Sequence, residues 1–209
     1  MTASLQTFFS ITVLLFMSAG IEPPVEEALI DAKQDSSIYI MANSHTVLKL
    51  NENSNLYMKE GSESEITGSK SFNDLISLRI NMLGGSLYFA VENDMMNNIE
   101  VITPIALASF NSGSAGFTSD GFYWVEKGDL DIMAMRSGQS ISIRSGMFAQ
   151  IDADGNDVVT GQLSADEVNQ LRNEHSYPAG NTLIERFVLS FDADGKNVIR
   201  RENDREAEN

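Results

Sequence analysis

Residues 121–146 read GFYWVEKGDLDIMAMRSGQSISIRSG. Glycines at 121, 128, 138 and 146 cut this stretch into Phe122-Tyr123-Trp124-Val125, Leu130-Asp131-Ile132-Met133 and Ser140-Ile141-Ser142-Ile143. Glycine reaches the positive φ angles of tight turns without steric cost, and the runs between are apolar, aromatic or β-branched. Short runs of that kind between turn residues predict a meander of strands. Their spacing is too irregular for a strict solenoid repeat.

The same period of two extends toward the amino terminus. Ile38 and Ile40 alternate with Tyr39 and Met41, and Leu48 and Leu50 flank Lys49. Ile76, Leu78 and Ile80 alternate with Ser77 and Arg79, and Leu87, Phe89 and Val91 with Tyr88 and Ala90. Alternation puts every second side chain on one sheet face. The fold class expected is mainly β: a sandwich, a roll or a solenoid-like stack of short strands.

After Asp154-Gly155-Asn156 the period changes. Ser164 is placed to cap a helix, with Glu167 reaching back from three residues on, and Val168 and Leu171 follow at helical spacing. Thr182 and Glu185 repeat that pattern ahead of Leu183, Ile184, Phe187, Val188 and Phe191, which predicts a second helix and hence a C-terminal helical hairpin. Residues 25–34, VEEALIDAKQ, predict a further short helix. The organisation expected is a signal peptide over 1–20, a linker or short helix over 21–36, a β-domain over 37–160, and a helical appendage with a charged tail over 161–209.

The export reading rests on the apolar run from Phe8 to Ile21. It is shorter than the ~20 residues a membrane-crossing helix needs and has the length of a signal-peptide core. Ser18 and Gly20 are the small residues signal peptidase requires, although no Lys or Arg precedes Lys33. A periplasmic or extracellular location follows, with no stable membrane span after cleavage. The 209 residues include no cysteine, which excludes disulfides, thiolate metal sites, thiol catalysis and a lipoprotein anchor. A net charge of −16 repels phosphate backbones, so nucleic acid is not an expected partner.

Residues Thr46 to Leu171 resemble the FecR domain. Gly85-Ser86-Leu87-Tyr88-Phe89 fits the family's first Gly-led strand, and Thr103-Pro104-Ile105-Ala106 its Thr-Pro-x-Ala step. Ser112 to Phe117 stands at its Gly-Thr turn, with Gly113-Ser114 in place of that pair. Trp124 to Leu130 and Ser140 to Met147 resemble its later strands. The resemblance implies an exported, non-enzymatic module acting through protein contacts in envelope signalling or scaffolding. The family's regulators carry a sigma-factor-binding segment before a membrane helix. Seven residues precede the apolar run here, so this chain is not expected to reach a cytoplasmic sigma factor by itself.

One alternative is a calcium-binding module. Asp152, Asp154 and Asn156 occupy the first, third and fifth positions of an EF-hand-like loop, with Thr160 at the ninth. Leu163 stands where a bidentate Glu belongs. A second loop, Asp192-Ala193-Asp194-Gly195-Lys196-Asn197, has a lysine at the fifth position. Asp-Gly is equally a turn former, so a plain hairpin turn fits both loops. No cofactor is expected beyond weakly bound calcium.

A hydrolase ranks last. The two histidines, His45 and His175, fall in a turn and at a helix end, where a cationic ring suits the dipole. Ser145-Gly146 lacks the strand–turn–helix context of a nucleophile elbow. Trp124 beside Tyr123 is a candidate exposed binding platform, but on an alternating strand one of the two is more often core, and that reading is preferred. Met95 and Met96 sit in a predicted polar loop, which either offers an adaptable contact surface or, as is commoner, tucks on the body.

Overall fold

The computed structural model describes residues 29–32, 37–70, 76–92, 96–176, 183–192 and 195–202. The expected signal peptide and the charged tail beyond 202 lie outside them, as does Met95. Sixteen strands and one helix are formed among the described residues. No helix among them is long and apolar enough to cross a membrane.

One layer of sheet holds β1 (Leu29–Ala32), β2 (Ser37–Met41), β5 (Glu63–Lys70), β6 (Ile76–Gly84), β8 (Met96–Ile102) and β9 (Ala106–Phe110) in that order. β9 pairs with the second half of β11 (Phe122–Ala134), and so does β12 (Ser140–Arg144). The first half of β11 belongs to the other layer. There it pairs with β10 (Gly113–Thr118) and with β13 (Met147–Ile151), which is edged by β14 (Val158–Gln162). Beyond β10 that layer continues through β7 (Ser86–Val91), β4 (Ser54–Met58), β3 (His45–Asn51), β15 (Ile184–Phe191) and β16 (Asn197–Arg201). β6–β8 and β3–β15 are parallel pairs and the others antiparallel.

β11 crosses from one layer to the other because Gly128 bends it, at a φ of 94°. β16, at one end of the sheet, then approaches β2 and β5 near the other. A Cβ on Gly68 of β5 would stand 2.7 Å from the Asn197 side chain at the start of β16, and 3.3 Å from the Phe191 ring. The sheet is therefore nearly closed.

Alternation accounts for the core as expected. Ile38, Ile40, Leu48, Leu50, Leu78, Ile80, Leu87, Phe89 and Val91 are all buried between the layers. Phe110 of β9 meets Phe89 of β7 at 5.4 Å and Phe117 of β10 at 5.8 Å, which ties the layers together.

The predicted second helix is not formed. Residues 184–191 are strand β15, pairing in parallel with β3. Glu185, Phe187 and Leu189 point inward at a period of two, while Ile184, which a helical face would bury, is 38% exposed. Glu185 accepts a hydrogen bond from Ser44 Oγ at 3.1 Å and pairs with Arg201 at 3.1 Å, which fastens β15 beside the start of β3. Residues 29–32 are likewise strand rather than helix, paired with β2. The boundary expected at 160 falls inside β14, and β15 and β16 are part of the sheet rather than a helical appendage.

Candidate interaction surface

Phe148, Trp124, Gly116, Tyr88 and Tyr57 are successive cross-strand neighbours on β13, β11, β10, β7 and β4. Their strand neighbours Ala149, Tyr123, Phe117, Leu87 and Leu56 belong to the core, so this row lies on the opposite, outer face. Gly116 makes the row continuous. A Cβ there would stand 2.0 Å from Trp124 Nε1, so the indole lies flat over the bare backbone. Trp124 thereby stacks on Tyr88 with ring centres 5.3 Å apart and planes 8° from parallel. Tyr88 in turn meets Tyr57 at 5.7 Å.

Helix α1 (Ala165–Ser176) covers the part of this row on β4, β7 and β11. It starts where the sequence predicts. Ser164 N–H donates to Glu167 Oε2 at 2.7 Å and Glu167 N–H to Ser164 Oγ at 3.3 Å, a reciprocal cap. The helix is strongly polar and buries only His175 and Ser176. Arg172 pairs with Glu126 Oε1 at 3.0 Å, and the Tyr88 hydroxyl donates to Glu126 Oε2. Burial first, and that bond second, push the Tyr88 phenol well above its usual range. His175 Nδ1–H donates to Leu171 O at 2.7 Å, and Ser86 Oγ reaches Nε2.

Both histidines depart from expectation. His45 is the first residue of β3 rather than a turn residue, and it is buried. Burial dominates over the helix end and holds His175 below the ordinary histidine range, so the ring is neutral rather than cationic. Tyr123 and Trp124 are both buried, Tyr123 in the core and Trp124 under α1, so Trp124 is not an open platform. Met96 opens β8 rather than a loop.

The Thr-Pro-x-Ala step forms the β8–β9 turn. Thr103 Oγ1 accepts from Ala106 N–H at 3.0 Å and meets the Tyr123 hydroxyl at 2.9 Å. Burial pushes that phenol up to about 12. The turn is thereby bolted to the central strand β11.

Two solved structures share this fold. One is described as a "putative anti-sigma factor" from Parabacteroides distasonis. It superposes with a TM-score of 0.53 at 15% identity, covering 66% of this chain and 65% of its own length. A second structure, with the same description and organism, gives 0.51 at 14% identity, covering 65% of this chain and 64% of its own. This chain thus spans a little under two thirds of either neighbour. At that identity the likeness is one of fold. No family model matches the chain, and no curated protein sequence does.

The structure places Asp152, Asp154 and Asn156 in the β13–β14 turn and Thr160 within β14, opposite Ala149 and exposed. Asp152 Oδ1 accepts from the amides of Asn156 at 2.7 Å and Asp157 at 3.2 Å, and Asp152 O from Gly155 N–H at 2.9 Å. Asp192 repeats this between β15 and β16, accepting from Lys196 N–H at 2.9 Å and Gly195 N–H at 3.0 Å. Both loops are hairpin turns closed by their own backbone. Among the described residues, no three acidic, histidine or cysteine side chains are grouped to hold a metal. Calcium and magnesium at matched ionic strength are expected to raise the melting temperature equally, by screening the net charge of −16. D152A/D154A should respond as the parent does. A calcium-specific shift lost in that variant would establish a site.

Proposed function

We propose that this chain is an exported, non-enzymatic, FecR-like domain that acts through protein contacts in envelope signalling. The observation that carries the reading is the fold shared with the two structures described as anti-sigma factors. The motif positions support it. Gly85 leads β7 at a φ of 83°, Thr103 to Ala106 makes the β8–β9 turn, and Gly113 opens β10. These residues serve turns and core, so what they have in common with the family is architecture, and the chemistry of a reaction is not asked of them.

Two measurements test it. Residues 1–30 fused to a reporter active only outside the cytoplasm should give signal, and the full chain should fractionate with the envelope or medium. A soluble cytoplasmic chain that retains Met1 would refute export. For the interaction, a photo-crosslinker at exposed Val159 on the β14 edge or Leu83 on β6 should yield a discrete envelope-protein adduct in living cells. Absence of any adduct from both positions would count against protein contact as the mode of action.

A further inference from the structure

The chain has two histidines, and the fold brings both to one aromatic row. His45 opens β3 and His175 closes α1, and each is 3% exposed. They stand at opposite ends of the tyrosines. His45 meets Tyr57 at 6.5 Å, Tyr57 meets Tyr88 at 5.7 Å, and Tyr88 meets His175 at 6.2 Å. Trp124 lies 5.9 Å from His175. Histidine is the side chain that ordinarily changes charge between pH 5 and 8. One copy closes the described helix over this row, and the other stands at the far end of the row, against Tyr57.

The bonding in that seat suits neutral rings. His175 Nδ1 faces a carbonyl, Leu171 O, so it carries the hydrogen, and Nε2 accepts from the Ser86 hydroxyl. A proton on Nε2 reverses that bond and leaves the hydroxyl hydrogen to find another acceptor. His45 Nε2 is buried with no hydrogen-bond partner, so a proton there gains no acceptor. Among the described residues neither ring has a carboxylate bonded to it. Glu126 on β11, the acid facing the seat, is spent on Arg172 and Tyr88.

The surrounding charges divide as follows. Lys59, following β4, opposes a charge on either ring, Arg186 on β15 opposes one on His45, and His175 opposes one on His45. Glu174 and the Leu171 carbonyl on α1 favour a charged His175, as do the faces of Tyr88 and Trp124. Desolvation outweighs these and keeps both rings below their ordinary range.

The helix is held to the sheet by few polar anchors. Its described anchors are the Arg172–Glu126 pair and the His175–Ser86 bond, and the main core lies on the other face of the sheet.

We propose that His45 and His175 form a proton-operated latch: their protonation releases α1 and uncovers Tyr57, Tyr88 and Trp124 while the sheet stays folded.

The sign follows from the neutral docked rings. Above the ordinary histidine pKa, docking is at full strength. As pH falls through it, the released state takes up the protons and docking weakens by about tenfold per pH unit for one ring, or about a hundredfold for both. Release also separates two rings that repel each other when both are charged.

Trp124 is the only tryptophan, so its emission reports the seat. On titrating the full chain from about pH 7.5 to about pH 5, its emission should shift to the red and acrylamide should quench it. Amide exchange in residues 165–176 should quicken while the strand signal in circular dichroism holds. In H45Q/H175Q the transition should vanish. Should that variant fail to fold, H45Q alone, which touches no bond to the helix, should show a shallower transition than the parent. An unchanged Trp124 signal across the range overturns the proposal. So does a change that coincides with loss of the strand signal, or one that persists at the parent's slope in the variants.

Discussion

Trp124→Ala is expected to lower the stability of the fold by about 3–5 kcal/mol. In a chain of this size that is a fall in melting temperature on the order of 10 °C. The ring is fully buried although it is outside the main core, because α1 closes over it. Truncation removes the stack on Tyr88 and leaves a cavity floored by Gly116, where no side chain can move in. It also takes the seat from His175. Trp124→Phe keeps most of the ring and deletes a buried Nε1–H that has no partner, so it should cost much less than alanine. Urea denaturation of the two variants checks this. An alanine variant as stable as the parent would mean that α1 does not cover the ring, and the aromatic row would be an open surface.

The row itself was only half legible in the sequence. The alternation of Phe122, Tyr123, Trp124 and Val125 marks a strand, and a strand divides Tyr123 from Trp124 between two faces. What the sequence hides is that both faces are buried, since the cover over Trp124 is a polar helix some forty residues on. Val168 and Leu171 mark the helix, but its two buried residues are His175 and Ser176, which no hydrophobic pattern flags. Ser112 to Phe117 reads as a turn, whereas Gly113–Thr118 is strand β10, and Gly116 in the middle of it marks the close approach of another group.

Residues 184–191 form a strand where a helix is predicted, for a similar reason. Leu183, Ile184, Phe187, Val188 and Phe191 satisfy a helical face, while Glu185, Phe187, Leu189 and Phe191 satisfy a strand. The strand wins because β3 offers an edge more than a hundred residues away, and Ser44 and Arg201 satisfy the inward Glu185 there. A buried glutamate argues against a strand until those partners are known. Local turn chemistry was the most readable part. The Ser164–Glu167 cap and the Asp-Gly turns form where the residues place them.

Gly113→Ala is expected to be the most damaging single-methyl change in the chain, costing about 3–5 kcal/mol. Gly113 has a φ of 113°, outside the left-handed well that other residues reach. A Cβ there would fall 2.0 Å from the carbonyl oxygen of Lys127, which is backbone and has no rotamer to relieve the clash. Gly113 lies opposite Gly128, whose own Cβ would stand 2.7 Å from Ser112 O. The two glycines let β10 and β11 close up where β11 leaves one layer for the other. Moving the Lys127 carbonyl would therefore strain the crossing itself and loosen the β10–β11 pairing. Gly138→Ala is the control. Its φ of 70° is also positive, but nothing lies within 4 Å of the added carbon. It should cost about 1 kcal/mol, the left-handed penalty partly offset by a less flexible unfolded chain. Urea midpoints with an unchanged slope would compare the two directly. Equal, small losses in both variants would mean that the Gly113–Gly128 contact is not what bends β11 between the layers.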